Sequence, residues 1–216
     1  MRALIALRAA KLVRMLPMIL MTSLLMQGTV AHSASKTVLV LGDSLSAEYG
    51  LARGTGWVTL LEKRLDGKYA GTKIVNASIS GETTSGGRAR LDALLQKHRP
   101  QILILELGAN DGLRGLSIEA TESNLRAMIA QAKKARLAVI LVGMQIPPNY
   151  GADYTRRFAN LYPKLAKENK LALVPFLFDG LGDQPQMFQS DRIHPTAEAQ
   201  PIMLDNVWSQ LKPLLR

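Results

Sequence analysis

The stretch Thr37-Val38-Leu39-Val40-Leu41-Gly42-Asp43-Ser44-Leu45-Ser46 decides the fold. Its first five residues place apolar or β-branched side chains on both alternating faces, the pattern of a strand covered on both sides, and Gly42 ends the run at a turn. Strands of that kind belong to parallel sheets with helices on each face. Working outward, the same alternation recurs. Trp57, Leu60, Leu61 and Leu65 fall at helical spacing, Lys73 to Ala77 reads as a short second strand, and Leu91, Leu94 and Leu95 mark a helix that stops before Pro100. Gln101 to Leu107 is the third strand, Leu125, Met128, Ile129 and Ala132 the next helix, and Ala138 to Gly143 the fourth strand. Phe158, Leu161, Tyr162 and Leu165 form a helical stripe, Leu171 to Phe176 a fifth strand, and Ile202 to Leu211 a closing helix. Strands that alternate with helices imply right-handed crossovers, hence a three-layer α/β/α sandwich around a five-stranded parallel sheet. No repeat or Pro/Gly/Ser-rich linker interrupts the pattern, so residues 35–216 read as one domain.

The chain has 216 residues, 47% apolar and 20% charged, a balance that supports a sizeable core and excludes a disordered protein. It contains no cysteine, which excludes disulfides, a thiolate nucleophile and a Cys-ligated zinc site. The formal charge of +10 includes Arg2, Arg8, Lys11 and Arg14 in residues 1–34, a stretch without an acid; set aside, they leave 23 bases against 17 acids. That excess is scattered rather than clustered, which argues against a nucleic-acid partner and leaves a mild preference for anionic substrates or membrane lipid. The basic stretch precedes an apolar run from Met15 to Met26 and then the small and polar residues Gly28 to Ala34, the order of a secretory signal peptide. A dozen apolar residues fall short of the roughly 20 that span a bilayer, which sets an uncleaved anchor helix behind a cleaved leader. Small residues in Thr29-Val30-Ala31 and Ala31-His32-Ser33 put cleavage at 31–34 and the mature protein in the periplasm or outside the cell.

Reactive groups in such sheets collect beyond the carboxyl ends of the strands. There stand Gly42-Asp43-Ser44-Leu45-Ser46, then Asn76-Ala77-Ser78-Ile79-Ser80-Gly81-Glu82-Thr83, then Gly108-Ala109-Asn110-Asp111-Gly112, and past the fifth strand Asp191-Arg192-Ile193-His194-Pro195. Ser44, where a buried strand is expected to turn into a helix, is either a nucleophile beside backbone N–H groups or a plain helix N-cap. His194 is either a base or a residue preceding a helix that Pro195 opens. Asp191, three residues earlier, tips the balance, because a carboxylate at that offset holds one imidazole nitrogen and leaves the other facing a nucleophile. The N–H of Ser44, the N–H of Gly81 and the amide of Asn110 are candidate donors to a developing oxyanion. Asp43 and Asp111 read as turn supports, His98 and His32 as surface residues, and Trp57 and Trp208 as packing.

Gly42-Asp43-Ser44-Leu45, Gly81, Gly108-Ala109-Asn110-Asp111 and Asp191-Arg192-Ile193-His194 fall in the order and spacing of the four sequence blocks of the SGNH, or GDSL, hydrolases. The chain resembles that family over the whole of residues 35–216. Asn76 to Gly81, Asn110 to Gly115, Tyr162 to Glu168 and His194-Pro195 beside Ala199-Gln200-Pro201 resemble its bacterial thioesterase, lysophospholipase and arylesterase subgroup. The resemblance implies a flavodoxin-like fold, Ser44 as nucleophile, His194 as base, Asp191 as its orienter, and Ser44, Gly81 and Asn110 as the oxyanion hole. It further implies hydrolysis of carboxylic esters and thioesters through an acyl-enzyme, with no cofactor and no metal. Glu48 departs from the pattern, which carries a small residue there, usually glycine, and bears on the mouth of the site.

Two alternatives differ in class. One is a metal-dependent phosphoesterase with Asp43, Asn110, Asp111, Asp191 and His194 as ligands, disfavoured because the loops hold a single histidine. The other is a non-catalytic acyl or glycan binder, whose expected mark, loss of nucleophile or base, is absent. The expected partner is a small ester or thioester with an acyl or aryl group, met by a monomer with at most transient lipid contact. An acyl group is expected between two apolar loops, one through Leu113, Leu116 and Ile118, the other through Met144, Ile146, Pro147, Pro148 and Tyr150, with Leu113, Ile146 and Pro147 as the contacts.

Overall fold

The protein is described here from a computed structural model covering residues 36–215 except 68 and 183; the segment read as an export leader, His32 included, lies outside them. Five strands form one sheet: β1 (Thr37–Gly42), β2 (Lys73–Asn76), β3 (Ile102–Glu106), β4 (Ala138–Val142) and β5 (Ala172–Val174). Every pairing is parallel and the spatial order is β2-β1-β3-β4-β5. Val38 to Leu41 and Ile102 to Leu105 are fully or almost fully buried, as residues with both faces covered must be. β1 runs one residue beyond its apolar run, to Gly42, and β2 to β5 are one to three residues shorter than theirs. β5 ends at Val174 because Pro175 has no N–H to continue the ladder.

Helices α1 (Trp57–Leu65) and α6 (Gln200–Leu211) pack together on the sheet, while α2 (Thr84–His98), α4 (Ile118–Lys134) and α5 (Ala152–Asn169) form the second group; α3 (Ala109–Leu113) is a single turn at the carboxyl edge. Local chemistry sets their ends. The Thr83 hydroxyl accepts from the N–H of Gly86 at 3.3 Å to start α2, and Ser117 accepts from Ala120 at 3.2 Å to start α4. Pro163 lies inside α5, where the buried stripe of Phe158, Leu161, Tyr162 and Leu165 holds the helix against the sheet across that break. Trp57 is completely buried; Trp208 is half-buried, edge-on to Tyr69 and beneath Arg64. His98 is half-buried at the end of α2, at the edge opposite the motif loops.

From β1 the chain moves outward to β2 and then returns to the other side for β3, so the winding direction reverses between β1 and β3. The crevice beyond that reversal is where a doubly wound sheet has room for a ligand. The loops of Ser44 and Asn110 leave those two strands.

Gly87 shows how closely the second helical group sits. In an open helix, alanine is better than glycine by about 1 kcal/mol. A Cβ at Gly87 would run into the Leu107 Cδ1 methyl beneath it and touch Leu41 at 3.7 Å. Gly87→Ala is therefore expected to destabilise by about 1–3 kcal/mol in urea unfolding, the scale of overpacking; a gain in stability would mean that this face is loosely packed.

Candidate active site

After Gly42 the chain does not enter a helix. Residues 44–50 form successive turns, with the N–H of Ala47 on the Asp43 carbonyl at 3.0 Å and that of Tyr49 on the Ser44 carbonyl at 3.3 Å, and α1 begins only at Trp57. Ser44 is thus not the cap of a helix. Glu48 and Gly50 both take positive φ and stop helical winding, and the Glu48 carboxylate fastens the rest of the loop. It accepts from the N–H groups of Gly54 at 3.0 Å and Gly56 at 2.8 Å and from the Thr59 hydroxyl at 2.9 Å. Partial desolvation opposes ionisation there, but these donors outweigh it and hold the carboxyl below its ordinary range. Glu48 therefore braces the loop from within and does not line the cavity beside Ser44.

His194 comes from the far end of the chain. Its Nε2 lies 2.9 Å from the Ser44 hydroxyl, and its Nδ1 lies 2.7 Å from Asp191 Oδ2. The other Asp191 oxygen accepts from the N–H groups of Ile193 at 2.9 Å and His194 at 3.0 Å. Desolvation pulls the Asp191 pKa upward, but the N–H and ring of His194, with the N–H of Ile193, overcome it and hold the value at about 2. Pro195 does not open a helix; it bridges to Phe188, and helical turns resume only at Ala197. Gln189 joins this loop to the first, its side-chain amide donating to the carbonyls of Tyr49 at 3.0 Å and Pro195 at 3.1 Å. The Tyr49 ring then lies 4.4 Å from the His194 ring, centroid to centroid. Neither Gln189 nor Tyr49 stands in a motif block, and no local signal singles them out.

The three oxyanion candidates differ in state. The N–H groups of Ser44 and Gly81 donate to no protein acceptor among the described residues, and Gly81 takes φ +78, which suits glycine. Asn110, by contrast, donates from Nδ2 to Asp43 Oδ2 and to the Glu82 carbonyl, both at 3.0 Å. Both its amide hydrogens are engaged, so a third acceptor would share one of them. Arg114 donates to the Gly81 carbonyl at 3.0 Å, and Arg90 to Ala77 and Glu82, which pins the loop after β2.

Beneath Ser44 lie two carboxyls with no access to solvent, Asp43 and Glu106. Asp43 Oδ1 accepts from the N–H of Leu45 at 3.0 Å. Glu106 Oε2 accepts from the N–H of Asp43 at 3.2 Å and the Ser46 hydroxyl at 2.7 Å, while Oε1 has no partner. Burial raises Asp43 to about 6, against the pull of the Leu45 N–H, the charge of His194 and the Asn110 amide. Burial, reinforced by the neighbouring Asp43 charge, pushes Glu106 well above the carboxylate range. Glu106 was hidden in the apolar run Gln101 to Leu107; one acid in a two-face-buried strand was the signal available.

A cavity of about 410 Å3 opens beside Ser44 and His194, both of which line it. Leu113, Ile146 and Pro147 line it, as expected of an acyl contact. Leu116 and Ile118 do not: Leu116 faces solvent and Ile118 is buried under the start of α4. Pro148 and Tyr150 also lie outside the lining, whereas Met144 belongs to it. Three residues that the sequence did not mark as part of the site, Phe176, Phe178 and Phe188, complete the wall as an aromatic row with 5.6 Å between successive centroids. The ligand set of a metal site is not brought together: Asp111 accepts from the Thr84 N–H and hydroxyl and from Thr121, and no cluster of three or more acidic or imidazole groups occurs among the described residues.

Comparisons with known proteins show the family and the fold. The GDSL-like Lipase/Acylhydrolase family model matches residues 40–201. The chain is 46% identical to Esterase TesA of Pseudomonas aeruginosa over 201 residues, 90% of this chain and 100% of that protein. It is 43% identical to the thioesterase 1/protease 1/lysophospholipase L1 of Escherichia coli K12, over 87% of this chain and 88% of that one. Among solved structures, the esterase EstA from Pseudoalteromonas, inhibited by monoethylphosphonate, superposes with a TM-score of 0.78 at 38% identity, covering 83% of this chain and 98% of that one.

The buried acid yields a stability test. A carboxyl whose pKa is raised by folding binds more protons folded than unfolded, so stability falls as pH rises from its unfolded value near 4.5 toward the raised one. Glutamine keeps the acceptor for Ser46 and Asp43 and cannot ionise. Glu106→Gln should match the parent near pH 4 and gain on it by up to about 1.4 kcal/mol per pH unit above 4.5 in urea midpoints. Parallel curves would mean that Glu106 ionises freely in the folded protein.

Proposed function

The chain belongs to the GDSL-like Lipase/Acylhydrolase family and is a carboxylic ester hydrolase, and from that premise we propose the residues and course of its reaction. The observation that carries the proposal is the continuous relay from Ser44 through His194 to Asp191, at 2.9 and 2.7 Å. Ser44 attacks the ester or thioester carbonyl while His194 Nε2 takes its proton. Asp191, ionised through the whole neutral range, holds the ring by Nδ1 and stabilises the imidazolium that forms. The N–H groups of Ser44 and Gly81 and the Asn110 amide receive the oxyanion. His194 then passes the proton to the leaving group, and water releases the acid by the same path. The reaction calls on these side chains and water alone.

The substrate is an ester or thioester whose acyl group enters the cavity beside Ile146 and the phenylalanine row. Aryl esters, lysophospholipids and acyl thioesters share that feature. Residues 1–34 direct export to the periplasm or beyond and are removed at 31–34, leaving residues 35–216 as the working domain, a monomer.

Two outcomes test this. Ser44→Ala should fold and take no label from a fluorophosphonate, and Asn110→Ala should lower turnover by about 10²–10³, the scale for one oxyanion donor; persistent labelling would remove Ser44 as nucleophile. Each methylene buried contributes about 0.8 kcal/mol. The ratio kcat/KM should then climb about threefold to fourfold per acyl carbon until the cavity fills, and Ile146→Trp should move the optimum to shorter chains. A flat profile from acetyl to decanoyl esters, unaltered by that substitution, would place the acyl group elsewhere.

A further inference from the structure

Among the described residues, the large apolar side chains that face solvent come from the loops at one edge of the sheet. Among the described residues there are five, exposed between 37% and 50%, and each comes from the exit of a different strand. Tyr49 follows β1 and Ile79 follows β2. Leu116 follows β3, Tyr150 follows β4, and Ile193 follows β5. Single exposed apolar residues are ordinary when scattered over a surface. Here, among the described residues, the helical faces and the amino edge carry none, and the loops of the carboxyl edge, where the Ser44 cavity also opens, carry all of them. Neighbouring strands stand about 4.8 Å apart, so five exits spread that edge over roughly 20 Å.

Exposed arginines stand on the same edge. Arg53, Arg114 and Arg192 are exposed and make no ion pair among the described residues. The nearby acids are already held: Glu48 by Gly54, Gly56 and Thr59, Glu82 by Arg90, and Asp191 by His194. Arg192 takes φ +58 within the catalytic loop, a conformation that disfavours a side chain, and it lines the cavity. Apolar tips interleaved with unpaired arginines are what a surface needs to enter a lipid headgroup layer, the apolar groups burying and the cations meeting phosphates.

We propose that the carboxyl edge of the sheet docks on an anionic lipid surface, with the Ser44 cavity facing it, so that acyl substrate enters from the lipid without crossing water. The proposal deepens the hydrolase reading by naming where the substrate is met. It explains why the exposed apolar residues share the cavity's edge of the sheet, since the acyl chain and that edge then leave water together.

The test separates docking from catalysis. Ser44→Ala protein is sedimented with phosphatidylcholine vesicles, alone or mixed with phosphatidylglycerol. Binding is expected with the anionic vesicles and should weaken as salt is raised. Adding Ile79→Ser and Leu116→Ser, both outside the cavity and the relay, should weaken it about tenfold, the scale of keeping two aliphatic tips in water. With Ser44 intact, that pair should leave hydrolysis of a soluble monomeric ester within about twofold and slow hydrolysis of a vesicle-borne lysophospholipid about tenfold. Absence of vesicle binding, equal loss on both substrates, or a dimer that the two substitutions dissociate would overturn the proposal. Vesicle binding without hydrolysis of the soluble ester by the intact protein would instead keep the docking surface and overturn the reaction.

Discussion

Glu106 and Gly42 stand opposite each other in the register of β3 and β1, and the contact between their ends holds the reactive turn in place. Gly42 has to be glycine there, because a Cβ would come within 2.5 Å of Glu106 Oε2 and 2.8 Å of the Ser46 hydroxyl. In the space so left, one carboxyl oxygen receives both the N–H of Asp43 and the Ser46 hydroxyl. Asp43 passes the constraint on, to the N–H of Leu45 on one side and the Asn110 amide on the other. The backbone on both sides of Ser44 and the Asn110 amide are therefore tied into a single network. An acid placed so deep costs stability relative to an apolar residue of the same shape unless it is hydrogen-bonded and neutral. Local rules of burial are broken at the site that needs a fixed geometry.

The opposite wall is joined differently. His194 and Asp191 stand on an exposed loop and are held by short-range hydrogen bonds within Asp191-Arg192-Ile193-His194. What locks that loop against the Ser44 turn is Gln189, spanning the Tyr49 and Pro195 carbonyls, with the Tyr49 ring against the imidazole. One half of the site thus draws rigidity from the sheet, the other from a clasp between loops. The cavity lies between the two, walled by apolar side chains, and its rim continues into the exposed apolar and cationic edge.

Strand and helix order, the parallel sheet and the convergence of the motif loops were all readable from the residues, because hydrophobic period is local and the topology of alternating strands and helices leaves few arrangements. The relay was readable in part, since Asp191 and His194 lie three residues apart and meet within one turn of chain. The helix expected directly after Ser44 was not there. Glu48 satisfies the backbone of Gly54 and Gly56 from within a left-handed turn, a long-range use of a side chain that residue types do not announce.

The remaining features were decided by tertiary structure. Glu106 meets Asp43 across 63 residues, and Ser44 meets His194 across 150. Phe178 and Phe188, ten positions apart, come edge to face only because Phe188 bridges back to Pro195. Whether a buried acid is a defect or a brace, and whether a phenylalanine after a strand fills the core or walls a cavity, depends on what the folded chain sets against it. The sequence by itself determined which local segments form strands and helices and which polar loops gather at one edge, through periodicities a few residues long. Only the tertiary structure determined which side chains are buried together, clasp a loop or face water, because those properties belong to distances between residues far apart in the chain.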